Sequence, residues 1–175
     1  KGFEVLASLP IARAALLAGK LFGFAGVSLI IALLFGLVVW LFAPAVQAAI
    51  WTVSLLLELL MVMALSVLCL LTFSQIPAAL AAVLAFYLLA RSMAAFQLMA
   101  GGPMLDSTQG LVGWMADGLN LIAYLLPSLH QFTRTEWLVY HQASWGDLGN
   151  LVGQSVIYLG LLTTAALFDL YRKNL

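Results

Sequence analysis

The chain has 175 residues, of which 65% are hydrophobic and 8% charged, and its formal net charge at pH 7 is zero. Soluble domains are about half apolar and about a quarter charged, so this composition excludes a soluble globular domain and indicates an integral membrane protein. The lysines and arginines form no cluster that could contact phosphates, so nucleic acid is not expected as a partner.

The chain opens with a short amphipathic stretch. As a helix, its first nine residues place Lys1, Glu4 and Ser8 on one arc, with apolar residues opposite. Ser8 can cap the helix that follows, and Pro10 suits the first turn of that helix. We therefore expect a cytoplasmic amphipathic helix at 1–13 that leads into the first membrane helix. A juxtamembrane helix anchored by its basic side chains is the alternative.

Four membrane-spanning helices are predicted from the apolar runs between breaks in the sequence. The runs cover residues 21–42, 46–73, 77–100 and 148–171. Each is long enough to span, since a helix crosses the hydrocarbon core in about 20 residues. The loops between the first three are short, so these helices are expected to be antiparallel neighbours. The predicted fold class is an all-α, polytopic membrane helix bundle.

The basic residues predict the orientation. Lys1, Arg13 and Lys20 precede the first span, and Arg172 and Lys173 follow the last. With four crossings both ends of this chain lie on one side, which the positive-inside rule makes cytoplasmic. We therefore expect a multi-pass protein of a bacterial-type inner (plasma) membrane.

The segment 104–147 is predicted to be external and interfacial. Within it, polar or small residues recur along one helical stripe at 108–126, which favours an interfacial or re-entrant helix. A fifth span is the alternative, because these nineteen residues could cross a membrane. Four aromatic residues after Pro127 are typical of a belt at headgroup level: Phe132, Trp137, Tyr140 and Trp145.

Two charged residues lie inside the first three predicted spans. Glu58 is fifteen residues before Phe73 and Arg91 is fifteen after Ile76. At 1.5 Å per residue both therefore lie about 22 Å from the turn that joins the two helices. A lone charge at that depth is costly, so we predict a structural ion pair across the helix interface. A proton or substrate relay through Glu58 is the alternative.

Other sites are not indicated. His130 and His141 are too far apart for paired ligands on one helix, and no cysteine lies near them, so no metal site is expected. The single Cys69 offers no disulfide within the chain. No phosphate-binding loop or catalytic motif is present, so the chain is not expected to be an enzyme and any ATP must be hydrolysed elsewhere.

Two pairs of glycines have the spacing at which helices approach closely. They are Gly19 with Gly23 and Gly149 with Gly153. Packing within the chain and a seam between two copies are both open interpretations.

Three stretches carry a family resemblance: GFEVL with LPIAR at 2–13, LLPSL at 125–129, and FDLYRKNL at 168–175. Their order and their positions relative to the spans resemble the permease subunits of type-2 ABC transporters. This exporter class includes subunits linked to multicopper-enzyme maturation. The resemblance covers the last four of the family's six helices, and it implies two further membrane helices before Lys1.

The resemblance also implies partners and roles. Residues 1–13 would be the coupling helix, with Glu4, Ser8 and Arg13 contacting a separate ABC ATP-binding subunit. No cofactor is expected in this chain, because ATP and Mg would be held by that partner. A second permease subunit, the same or different, would complete the transporter within membrane lipid.

The expected function is therefore that of a membrane-spanning permease subunit in an ATP-driven, exporter-like transporter. A secondary transporter that uses Glu58 and a membrane assembly subunit without transport are the alternatives. The apolar helix faces leave lipid, peptide, drug and a copper-site factor open as substrates.

Overall fold

The structure, a computed structural model, describes residues 13–100, 118 and 126–172. Every regular element in these ranges is helical. The elements are α1 (Arg13–Trp40), α2 (Ala45–Thr72), α3 (Ile76–Ala100), a 3-10 turn (Leu129–Gln131), α4 (Thr135–Val139) and α5 (Trp145–Arg172).

The four long helices α1, α2, α3 and α5 are each long and apolar enough to cross a membrane. Within the described residues, the prediction of a helical fold with four such helices is confirmed, and it indicates a multi-pass membrane protein. Large apolar side chains cover the outside of the bundle, as lipid contact requires. Examples are Phe22, Leu34, Phe42, Ile157 and Phe168.

Parts of the sequence analysis concern residues outside the described ranges. The predicted amphipathic helix at 1–13 lies outside them except for Arg13, where α1 begins. The predicted interfacial helix at 108–126 lies outside them except for Gly118 and Leu126.

The helix boundaries follow from local chemistry. Pro44 precedes α2, and its carbonyl accepts the first helical hydrogen bond from Ala48 N at 3.0 Å. Pro77 lies in the first turn of α3, where a missing N–H costs nothing. Ser144 and Asp147 form a reciprocal cap at the start of α5: Ser144 Oγ accepts from Asp147 N at 3.2 Å, and Asp147 Oδ2 accepts from Ser144 Oγ at 2.7 Å. This cap starts α5 three residues before the predicted residue 148.

The second long helix is the centre of the bundle. α2 is the most buried of the four spanning helices, and it contacts α1, α3, α4 and α5. At the lower end, which we define as the end where α1 begins, Leu17 clusters with Val67, Ala166 and Leu170. The beginning of α1, the end of α2 and the end of α5 therefore meet there.

The upper end of the bundle, where α2 begins, receives an inserted segment. We name residues 126–143 the docked segment; they contain the 3-10 turn and α4. Leu129, Phe132 and Trp137 are buried in one cluster with Ile50 of α2 and Leu151 of α5. The segment is therefore part of the core of the bundle.

This insertion separates the four residues of the predicted aromatic belt into a buried pair and an exposed pair. Phe132 and Trp137 are 0% and 5% exposed, whereas Tyr140 and Trp145 are both 67% exposed. The first two therefore face the interior of the bundle, whereas the other two remain accessible for the predicted belt. Spacing along the sequence shows that aromatic residues recur, but the turn and α4 decide that two of them point into the bundle.

α1 packs tightly against α2 at a glycine that the spacing argument did not select. A Cβ at Gly36 would overlap the side chain of Thr52, whose hydroxyl donates to Ala48 O at 2.7 Å. The glycines of the two predicted pairs have no described atom within 4 Å of a Cβ: Gly19, Gly23, Gly149 and Gly153. Within the described residues, these pairs do not bring two helices together.

We expect Gly36→Ala to lower the stability of the bundle. Alanine favours a helix by about 1 kcal/mol over glycine, but overlap with a branched side chain in a packed interface costs about 1–3 kcal/mol. Adding Thr52→Ala should recover most of the loss. Thermal unfolding midpoints in detergent measure the effect.

The matched control is Gly26→Ala on the same helix, where a Cβ meets open space. It should leave the midpoint unchanged or raise it. If Gly36→Ala proves as stable as Gly26→Ala, the close approach does not constrain the two helices.

Candidate functional site

The candidate site lies where α2, α3 and the docked segment meet. The structure brings the predicted pair together, with Arg91 Nη1 on α3 at 3.2 Å from Glu58 Oε1 on α2. The Glu58 side chain is 6% exposed and that of Arg91 is 39% exposed. The carboxylate is therefore the more buried partner, and a buried carboxylate needs hydrogen-bond donors around it.

Both oxygens of the Glu58 carboxylate accept hydrogen bonds. Oε1 accepts from Tyr87 Oη at 3.0 Å as well as from Arg91, and Oε2 accepts from Thr133 Oγ1 at 2.8 Å. The donors come from α3 and from the docked segment. A buried carboxylate satisfied in this way is stable only while all these elements stay in place.

Arg91 joins α3 to the docked segment. Its Nη1 lies 3.1 Å from Leu129 O, 3.4 Å from Phe132 O and 3.1 Å from Thr133 Oγ1. An Nη1 carries two hydrogens, so these acceptors and Glu58 share them in bifurcated bonds. The guanidinium thus satisfies backbone carbonyls that the inserted turn brings into an apolar interior.

Thr133 connects the docked segment to α2. Its N–H donates to Ser54 Oγ at 2.8 Å, its hydroxyl donates to Glu58, and its φ angle is 45°. A β-branched residue in the left-handed region is strained, at a cost on the order of 1–3 kcal/mol. The bonds to Ser54 and Glu58 hold it there, so the conformation of the docked segment depends on α2.

A second polar contact fixes the other end of the docked segment. Gln47 Nε2, near the start of α2, donates to His141 O at 3.1 Å and to Ala143 O at 3.4 Å. His141 also has a left-handed backbone, with φ at 56°. Side chains of α2 therefore hold both the middle and the end of the segment.

His130 lies in the docked segment among basic groups. Burial lowers the pKa of His130, and the positive charges of Arg134 and Arg91 lower it further. Its Nδ1 atom is buried and has no hydrogen-bond partner among the described residues. The geometry therefore favours a neutral imidazole, which is cheaper to bury than a charged one.

The described residues contain no group of three or more metal-ligating side chains. His130 is partly buried and His141 is exposed. The described site is a hydrogen-bonded charge pair that links α2, α3 and the docked segment and places one carboxylate near the middle of α2.

Some of this site was accessible to sequence reasoning and some was not. Glu58 and Arg91 were selected, but Ser54, Tyr87 and Thr133 were missed. Ser54 is four residues before Glu58 and Tyr87 four before Arg91, a spacing that puts each on the same helix face as the charge. No local signal identifies Thr133, because its role depends on the insertion of a distant segment.

The structure describes little of the residues predicted to contact a partner ATPase. Glu4 and Ser8 lie outside the described residues, and Arg13 is described only as the first residue of α1. Their role as a contact surface remains a prediction.

Comparisons of the chain with family models, curated proteins and solved structures each found no match. What the chain does is therefore inferred from its residues and geometry.

We expect Arg91→Gln to destabilise the bundle more than Glu58→Gln. Removing the arginine leaves a buried carboxylate short of a donor, and breaking a buried pair in this way costs about 3–5 kcal/mol. Removing the carboxylate leaves the Arg91 guanidinium still bonded to the carbonyls of Leu129 and Phe132, so the cost is smaller. Thermal unfolding in detergent gives the order.

The double variant Glu58→Gln with Arg91→Gln should be more stable than Arg91→Gln alone, because no charge is then left buried. Ser92→Ala, at the exposed neighbour of Arg91, is the control and should change the midpoint little. A double variant that loses the sum of both single effects would contradict a coupled pair.

We expect acid to loosen the docked segment through His130. Its pKa lies below the ordinary value of 6.5 in the folded protein, so the unfolded chain binds the proton more tightly. Stability is therefore full above about pH 6.5 and declines as pH falls further. His130→Gln should flatten this part of the pH profile.

Melting curves between pH 7.5 and pH 5 provide the measurement, and His141→Gln is the control because His141 is exposed. Equal pH profiles for the parent protein and His130→Gln would show that His130 does not contribute.

Proposed function

We propose that this chain belongs to the membrane-spanning permease subunit of an ATP-driven, exporter-like ABC transporter. A separate ABC ATP-binding subunit would hydrolyse ATP, with ATP and Mg held there. The resemblance of residues 2–13, 125–129 and 168–175 to type-2 permeases supports this proposal, and the arrangement of the lower end supports it further.

The observation that carries the proposal is the cluster at the lower end. The stretch 1–13 continues directly into α1, and four residues later Leu17 packs with Val67 of α2 and Ala166 of α5. Thr72 Oγ1 also donates to Asp169 Oδ2 at 3.2 Å, which ties the ends of α2 and α5 together. A motor subunit that contacts Arg13, where α1 begins, would therefore act close to three spanning helices.

The central helix offers a route for that movement. α2 runs unbroken from Thr72 at the lower end to Ala45 at the upper end, with Glu58 near its middle. A packed helix moves as a rigid element, so a shift at its lower end changes the geometry at Glu58. In the proposed transporter this couples ATP-driven closure to the upper half of the bundle.

The proposed setting follows the charge distribution. The chain spans the inner (plasma) membrane of a bacterial-type cell, with both of its ends on the cytoplasmic side. A second permease subunit, the same or different, completes the pair, and the open face at Gly149 and Gly153 suits close approach of another helix.

A secondary transporter that uses Glu58 is the second candidate. A buried carboxylate at the middle of a spanning helix is a common proton-binding group in such proteins. Transport that persists when the partner ATPase is removed would favour this candidate.

The coupling role can be tested by cross-linking. In a Cys69→Ser background, Glu4→Cys and Arg13→Cys should each cross-link to an ATPase that co-purifies with the chain, and the yield should change on addition of ATP with Mg. Tyr140→Cys, on an exposed residue of the docked segment at the other end of the bundle, is the control and should give no cross-link. No cross-link from either position under ATP-hydrolysing conditions would contradict the proposal.

A further inference from the structure

The depth of the docked segment is unusual for a connection between two spanning helices. Thr133 bonds to Glu58, which lies thirteen residues after Ala45 in α2. Thr133 also bonds to Ser54, nine residues after Ala45, so at 1.5 Å per residue it lies about 14–20 Å below the first residue of α2. The segment therefore fills the upper half of the space between α2, α3 and α5, where non-helical backbone is tolerated only when it is buried in protein.

An apolar cavity lies directly against the inner side of the segment. It has a volume of about 30 Å³, and its walls include Met61 of α2, Phe86 of α3 and Leu162 of α5. Pro127 and Leu129 of the docked segment form another wall. The cavity has room for one small group and few polar atoms to bind water, so it suits an apolar group. If the segment withdrew, the cavity would lose a wall and open to the upper end.

The hydrogen bonds that hold the docked segment can be replaced by hydrogen bonds to water. Arg91 and Glu58 meet its backbone and Thr133 through hydrogen bonds, and water offers equivalent partners when the segment leaves. The left-handed backbone of Thr133 adds strain that withdrawal would relieve. Against this, burial of Leu129, Phe132 and Trp137 favours the docked position.

We propose that the docked segment is the upper gate of the transport path, closed in this structure over the apolar cavity and latched by Glu58 and Arg91 through Thr133. The proposal rests on the proposed transport function. The cavity suits a small apolar group, so we expect the transported compound to present such a group between α2, α3 and α5.

Thiol labelling tests the gate without a substrate or a partner ATPase. The chain, in a Cys69→Ser background, carries Met61→Cys in the cavity wall and is placed in lipid nanodiscs. A sulfonated maleimide then reports how often the cavity is open to water. Labelling should be slow with the latch intact. It should rise about tenfold or more with Arg91→Gln, because each loss of about 1.4 kcal/mol in latch energy is a tenfold change in the open population.

Two controls separate opening of the gate from general loosening. Ser92→Ala replaces Arg91→Gln as a matched change on α3, and it should leave the labelling rate unchanged. Val67→Cys, buried in the cluster at the lower end, replaces Met61→Cys and should stay unlabelled even with Arg91→Gln. Thr133→Ala keeps both charges and should raise labelling at position 61 by less than Arg91→Gln does.

Two results would overturn the gate. One is an unchanged labelling rate at position 61 when the latch is broken. The other is equal labelling at positions 61 and 67, which would show that the whole bundle has loosened. Because no ATP is used, these results are distinct from failure of the ATPase cross-link, which bears on the proposed function alone.

Discussion

A buried carboxylate in the middle of an apolar helix is the constraint on which the rest of this structure depends. Glu58 is 5% exposed, and its charge is tolerable only if donors reach both of its oxygens. α3 supplies Arg91 and Tyr87, and the docked segment supplies Thr133. In return, Arg91 satisfies carbonyls of the segment that would otherwise be orphaned in the interior. The pairing of α2 with α3 and the docking of the segment therefore depend on each other.

The parts of this arrangement that depend on local pattern were predictable from the sequence. Long apolar runs and the breaks between them predicted the four spanning helices, because length and hydropathy alone decide whether a helix can cross a membrane. The pairing of Glu58 with Arg91 followed from counting residues away from a short turn, since two antiparallel helices joined by such a turn share their depth. Ser54 and Tyr87, each four residues from a charge, were accessible by the same reasoning.

The parts that depend on contacts between distant residues were not predictable in this way. Phe132 and Trp137 are of the aromatic types that are common at headgroup level, and only the insertion of their segment between α2, α3 and α5 buries them. Thr133 has no sequence signal for a left-handed backbone, because a β-branched residue disfavours it and distant bonds impose it. Gly36 is important only because Thr52 lies across from it. Each of these features is a property of tertiary packing.

Both ends of the bundle contain an apolar cluster, and the upper end adds a network of hydrogen bonds to a buried charge. The lower end is an apolar cluster of long helices, which van der Waals packing keeps rigid. At the upper end Leu129, Phe132 and Trp137 are buried as well, and withdrawal of the docked segment would expose them to water. Glu58, Arg91 and Thr133 add polar bonds that fix the segment in one position. A movement carried along α2 therefore reaches the docked segment through Glu58, Arg91 and Thr133, where one shift lengthens several hydrogen bonds to a buried charge at once.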